Sequence, residues 1–278
     1  MNIVSNSITG AYLLALDVLN SQEPTDSRLG EAKGIVNACI TIKNPYTRHI
    51  IEHVRKHNMK YVVTEIMWYL SGKRYPDMVA AQAPTWNKIK NYDGTVNSNY
   101  GDKIFYQSSY GRTQFERTLA ELKHNIHSRR AFVYFNMYPE DYSLMSAVAD
   151  FPCTLSGQFI MNNGKLDFIV TMRSNDLIYG WCNDVPWFTL LQEMMATLLG
   201  VPVGEYHHNA GSLHIYKRFY KYFKALDYID GPITHTAAEQ TPFAPMQQQD
   251  VNALLRQDYT VETPFMNTFT AWLGAGCE

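Results

Sequence analysis

Met172-Arg173-Ser174-Asn175-Asp176-Leu177-Ile178-Tyr179-Gly180-Trp181-Cys182-Asn183-Asp184 is a polar segment set between two apolar ones. Before it, Leu166, Phe168 and Val170 alternate with other residues, the period of a half-buried strand. After it, Val185 to Leu199 is apolar nearly throughout (Trp187, Leu190, Leu191, Met194, Met195, Leu198), as a buried helix would be. The spacing therefore predicts a charged loop held between a strand and a helix, the usual position for binding groups on a rigid scaffold.

Upstream, Asn162-Asn163-Gly164-Lys165 is a hairpin signal joining LDFIVTM to an earlier strand, LSGQFIM. That strand begins at Phe151-Pro152-Cys153-Thr154. Cys153 and Arg173 are thus expected at the open end of one hairpin. A guanidinium beside a thiol favours the thiolate, the nucleophilic form. A lone cysteine is also, commonly, an inert small core residue, and spacing alone leaves both readings open.

Further out, Ile8 to Asn20 and Gln114 to His124 have helical spacing, and IVNACITI within Lys33 to Lys43 reads as a strand. Met59 to Gly72 predicts a helix with a glycine cap. It carries Glu65 among Val62, Val63, Ile66, Met67 and Trp68. That carboxylate lies on an exposed edge or is partly buried, and burial would raise its pKa unless partners supply charge. Pro76 to Asn91 has turn and helix signals and holds Trp86; Asn97 to Gly101 is a polar loop holding Tyr100. Arg28 lies in the polar stretch SRLGEAKG. Arg129 and Arg130 precede the strand AFVYFN, where basic residues are ordinarily solvated. Val203 to Leu213, with His207 and His208, leads to His214-Ile215-Tyr216 and a predicted helix at KRFYKYF. TPFAPMQQQD is a Pro- and Gln-rich loop, and the residues after it carry one short helical signal.

The 278 residues are 46% hydrophobic, enough to bury a large core. Net charge is −2, which gives no basic surface for nucleic acid. No apolar run reaches the roughly 20 residues of a membrane span, and the N-terminus lacks the features of a secretory signal. Four cysteines (Cys39, Cys153, Cys182, Cys277) lack metal-ligand spacing, so no metal and a reducing, cytoplasmic compartment are expected.

Taken in order, Arg28, Glu65, Trp86, SRR before a strand, Pro152-Cys153, Arg173-Ser174-x-Asp176 with Gly180, and His214-x-Tyr216 resemble the thymidylate synthase family over roughly Arg28 to Tyr216. The resemblance implies an α/β (α+β) fold, a large mixed β-sheet with flanking helices, as one catalytic unit over 1–278 whose segment 226–278 diverges. It implies a sheet-packed homodimer, 5,10-methylenetetrahydrofolate as co-substrate, and Cys153 as the nucleophile. Arg28, Arg173 and Ser174 match phosphate ligands, and Arg129 and Arg130 match the pair donated across the dimer. Glu65 matches a proton-shuttling, water-ordering acid. His214 and Tyr216 match the pair on the sugar hydroxyl. Trp86, Tyr100 and Gly180 match the pocket, Asp176 the folate side, and Asn175 its neighbour on the substrate. Asn58 stands where the family often has a histidine, and the tail FTAWLGAGCE does not resemble the family's closing segment.

Asp184 departs from the family's asparagine, which reads the edge of uracil. A carboxylate accepts the amino hydrogen of cytosine and cannot serve O4 unless protonated. MRSNDLIYGWCND, with NSNYG, FPCT and GSLHIY, resembles the deoxycytidylate hydroxymethylase branch of T-even phages, as does Thr154 after the nucleophile. The expected reaction is therefore 5-hydroxymethylation of dCMP, in a host's cytoplasm if the chain is viral. A dCMP or CMP C5-methyltransferase, a CMP hydroxymethylase and a nucleotide- or RNA-binding regulator are the alternatives.

Overall fold

The computed structural model describes residues 1–136, 149–229 and 243–274. Part of the Pro- and Gln-rich stretch, and Cys277 in the tail, lie outside these residues.

Seven strands form one mixed sheet, with β1 (Asn2–Ser5), β2 (Ala32–Ile42), β5 (Phe132–Tyr134), β6 (Thr154–Asn162), β7 (Lys165–Met172), β8 (Asn175–Asp176) and β9 (Val203–Tyr216). The order is β1-β2-β9-β7-β6-β5, and β8 continues the line of β7 along β9. β1 and β2 run parallel, as do β7 and β9; β2–β9, β5–β6 and β6–β7 are antiparallel. Two short strands, β3 (Ser108–Ser109) and β4 (Arg112–Thr113), pair separately. The predicted hairpin is present: Asn163 (φ 48°) and Gly164 (φ 76°) turn β6 into β7 in the left-handed region, which asparagine and glycine tolerate best.

Helices cover one face. α1 (Ile8–Asn20) is capped by Ser7, whose side chain accepts from Gly10 N. α2 (Met59–Ser71) starts at Asn58, which accepts from Tyr61 N, and ends at Gly72 with φ 64°. Asn58 is thus spent as a helix cap. Two short helices, α3 (Asp77–Ala80) and α4 (Thr85–Lys88), precede α5 (Gln114–His124), which has a Thr113/Glu116 capping box. α6 (Cys182–Leu199) is buried along most of its length and packs on β7 and β9.

Three expectations change. The helix predicted from Val185 starts at Cys182, following a wide π-type turn at Leu177–Trp181, so Asp184 stands in the first turn of α6 and not in a loop. Asp176 organises that turn: its Oδ1 accepts from Ile178 N (2.8 Å) and Tyr179 N (2.7 Å). Lys217–Tyr228 is a 3₁₀ helix, because its apolar residues recur every third position (Phe219, Tyr222, Ala225; Tyr220, Phe223, Leu226), the repeat that such a helix aligns. The C-terminal region holds two helices, Gln248–Arg256 and Pro264–Gly274, where one was expected. Buried Arg48 and Glu193 pair at 2.6 Å, and Glu193 also accepts from Met246 N, which ties this region to α6.

Candidate active site

The topology brings five segments to one end of the sheet: the start of β6, the end of β7, β8, the end of β9 and the turn before β2. Cys153, Arg173, Asp176, His214, Tyr216 and Arg28 stand on these segments. Arg173 N donates to Cys153 O at 2.9 Å, which fixes the open end of the hairpin. The Arg173 guanidinium donates to Phe151 O (2.7 Å) and Pro152 O (3.1 Å), and its Nη2 lies 3.5 Å from Cys153 Sγ. The guanidinium is therefore held over the thiol by the backbone that carries it. That guanidinium favours the thiolate, as its placement predicts, but does not by itself produce it. Burial pushes the Cys153 thiol up, with Asp184 and Asp150 adding to the rise, and the opposing charges of Arg173 and Arg28 do not cancel it.

Across the site, Asp184 is 9% exposed. Its Oδ2 accepts from Asn175 Nδ2 at 2.8 Å. Burial, opposed by that bond and aided by the charge of Asp176, pushes its carboxyl up to about 7. Gly180 makes the pair possible: a Cβ there would stand 2.7 Å from Asn175 Nδ2 and 3.4 Å from Asp184 Oδ2. Burial also pushes up the Asp176 carboxyl, against the Tyr179 backbone bond and the nearby His214. Asp176 Oδ2 is buried and has no partner among the described residues.

The edge position allowed for Glu65 is excluded. It is 5% exposed, and burial pushes its carboxyl up to about 8 although Tyr61 donates to it at 2.7 Å. Asp184 lies near enough for its charge to add to that rise. Trp86 Nε1 donates to Tyr61 O at 2.8 Å, and the Trp86 ring meets Trp68 edge-on at 5.0 Å. Tyr100 is buried between Tyr69 (5.3 Å) and Phe135 (5.4 Å), close to the charges of Asp184 and Cys153. A thiol, two carboxyls that titrate near neutral pH and a cationic rim are thus gathered around one buried polar face. Such a set can add a nucleophile to a ring and move protons on both sides of it.

Residues 18–250 match the family model described as thymidylate synthase. The chain belongs to the thymidylate synthase family. It is 31% identical over 173 residues to the deoxycytidylate 5-hydroxymethyltransferase of Enterobacteria phage T6, covering 59% of this chain and 69% of that protein. It is 32% identical over 165 residues to the thymidylate synthase of Bacillus subtilis subsp. natto, covering 57% of this chain and 58% of that one. The fold matches thermostable thymidylate synthase A from Bacillus subtilis with a TM-score of 0.62, at 23% identity and over 81% of this chain and 85% of that one.

The remaining residues matched to the thymidylate synthase pattern fall in two groups. Near Cys153, Arg28 is exposed at the tip of the Ser27–Gly30 turn, and its charge reaches both Cys153 and the Tyr216 hydroxyl. Ser174 is half-buried between Arg173 and β8. His214 lies beside Asp176 in the β8–β9 ladder and meets Tyr216 edge-on at 4.8 Å. Arg129 and Arg130 are not brought there. They are exposed just before β5, opposite the far part of β6, on the order of 20 Å along the strand from Cys153.

Three residues were missed in the sequence. Tyr61 stands four residues before Glu65 on α2, a spacing that puts both on one face. Asp150, three residues before Cys153, accepts from Asn97 N, Ser98 N and Ser98 Oγ at 2.6–2.7 Å, tying the Tyr100 loop to the Cys153 segment. Arg55 donates to Ile178 O at 2.6 Å and keeps two further buried nitrogens without partners among the described residues. Only the spacing of Tyr61 carried a local signal.

Proposed function

We propose that this thymidylate synthase-family enzyme is a deoxycytidylate 5-hydroxymethyltransferase, converting dCMP, 5,10-methylenetetrahydrofolate and water into 5-hydroxymethyl-dCMP and tetrahydrofolate. The observation that carries the reading is the Asn175–Asp184 bond. An amide N–H only donates, so Oδ2 of Asp184 is taken as an acceptor and Oδ1 is left for the base. An ionised carboxylate there accepts the C4 amino hydrogen of cytosine and repels O4 of uracil. A site built to bond one edge rejects the other by on the order of 10⁴-fold.

Arg28, Arg173 and Ser174 bind the phosphate, with charge-assisted bonds from the arginines, while His214 and Tyr216 hold the sugar. Phosphate placed beside Arg173 brings C6 to Cys153. Cys153 loses its proton and forms the Sγ–C6 bond; the ring electrons pass to C5. Asp184 holds the amino group and shares a proton on the N3 side as charge develops there. C5 bonds to the methylene group, the methylene–nitrogen bond of the co-substrate breaks, and the C5 proton leaves. Water ordered by Glu65 adds to the exocyclic methylene, and the Sγ–C6 bond breaks to restore the ring and the thiol. The formal oxidation gained at C5 balances that lost at the methylene carbon, so no external oxidant or reductant is needed. The folate side fits the residues present: buried Asp176 Oδ2 needs a donor and the Arg55 Nε and Nη1 need acceptors, and none of the described residues supplies them.

Arg129 and Arg130 stand too far along the sheet to serve Cys153 of their own chain, so a phosphate role for them requires a second copy and the proposed state is a homodimer. Apolar side chains of the sheet left open among the described residues support it: Val36 is 83% exposed, and Phe132 and Tyr134 are exposed. Tritium release from C5 of labelled dCMP and dUMP tests the assignment. Release from dCMP, dependent on the folate, is expected; preference for dUMP would overturn it.

A further inference from the structure

Trp86, Tyr61 and Glu65 form a hydrogen-bonded chain whose direction is fixed by chemistry. An indole nitrogen has a hydrogen and no lone pair to offer, so it can only donate. Tyr61 O must therefore accept from Trp86 Nε1 (2.8 Å), and the Tyr61 hydroxyl hydrogen is directed to Glu65 Oε1 (2.7 Å). Without the tryptophan, the hydroxyl could turn and accept a proton from the carboxyl instead. With it, Oε1 is an acceptor whether Glu65 is ionised or not.

We propose that Tyr61, aimed by Trp86, is a positioning residue that keeps the Glu65 proton on Oε2, away from α2's own phenol and free for the reacting groups. This deepens the role given to Glu65 in the proposed reaction and rests on that reading for its use in turnover. The geometry supports it at three points. Tyr61 and Glu65 are one turn apart on α2 and share a face. Glu65 is 5% exposed, so bulk solvent barely reaches its carboxyl and the Tyr61 bond to Oε1 is shielded. The titratable groups facing it are Tyr61 and Tyr69 from α2 and Asp184 from α6; none of them is a cation that would hold it ionised. A buried acid that holds a proton near neutral pH, with one oxygen blocked, can deliver or take that proton only at the other.

The test separates this from a merely structural tyrosine and does not depend on which nucleotide is turned over. Infrared spectra of the intact chain are titrated with pH, and the carboxylic acid C=O band that Glu65→Gln removes is followed. In the wild type the C=O oxygen is Oε1, bonded to Tyr61, so the band lies low. In Tyr61→Phe the band is expected to move to higher frequency. Its titration is expected to move to higher pH, because a bond favouring the ionised form has been lost. Trp86→Phe should shift the titration in the same direction by less, and the double variant should add nothing to Tyr61→Phe, since Trp86 acts through the hydroxyl. With substrate, kcat of Tyr61→Phe should fall on the order of tenfold, with nucleotide KM changed less. An unchanged band and titration in Tyr61→Phe would overturn the proposal. Loss of dCMP turnover in the wild type would instead overturn the functional reading and leave the spectral result to stand by itself.

Discussion

Asn175 Nδ2 lies 2.8 Å from Asp184 Oδ2, and both residues are buried. Nine positions apart in sequence, they meet because the π-type turn at Leu177–Trp181 folds the chain back on itself, with Gly180 leaving the space. In the proposed reaction this contact orients the carboxylate: one oxygen is occupied by Asn175 and the other is left for the base.

Asp184→Asn should shift selectivity toward dUMP. An amide can both donate and accept, so it no longer repels O4. Relative kcat/KM for dCMP over dUMP is expected to fall by at least 10²-fold, within the range open to a site that bonds one base edge. Paired tritium-release assays measure the ratio, and an unchanged ratio would count against Asp184.

Gly180→Ala should damage selectivity while leaving the Asp184 side chain itself unaltered. The new methyl group stands within 2.7 Å of Asn175 Nδ2, so the amide must move off Asp184. The dCMP/dUMP ratio should fall while circular dichroism stays that of the wild type. Retention of full selectivity would mean that the Asn175 bond does not orient the base reader.

The pH dependence has a definite sign. Asp184 is ionised above about 7. Selectivity for dCMP over dUMP should therefore rise as pH passes through 7, since only the protonated carboxyl can donate to O4. Asp184→Asn should abolish that rise, and a ratio flat from pH 6 to 8 in the wild type would contradict it.

Stability should move the other way. The buried Glu65 carboxyl has a folded pKa of about 8, above its ordinary value of 4.5. Its folded state binds the proton more tightly, so its contribution is full at acid pH and is lost as pH rises through 8. Glu65→Gln should make the ligand-free chain more resistant to urea at pH 9 relative to wild type than at pH 5, by on the order of 2 kcal/mol. Equal differences at the two pH values would show that Glu65 is not held protonated.

Much of this was legible in the residues because it is local. The Asn162–Lys165 turn, the Gly72 cap and the alternation of Leu166, Phe168 and Val170 each fix a piece of backbone, and the hairpin alone places Cys153 beside Arg173. The depth of Glu65 was not legible, since an apolar helix with one acid has the same composition whether its edge is covered or bare. The net direction of the Cys153 shift was not legible for a related reason: one neighbouring guanidinium is visible in sequence, while the burial that opposes it comes from the whole sheet end. The start of α6 was placed three residues late because Trp181-Cys182-Asn183-Asp184 carries no helix signal of its own. Asp176 organises the preceding turn through bonds that spacing does not show.

The most direct test of the central claim is the mass of the product formed from dCMP and 5,10-methylenetetrahydrofolate. The account requires 5-hydroxymethyl-dCMP, one oxygen heavier than the methyl product, with no dihydrofolate appearing in a parallel absorbance trace. Formation of 5-methyl-dCMP with stoichiometric dihydrofolate, or product from dUMP alone, would contradict it.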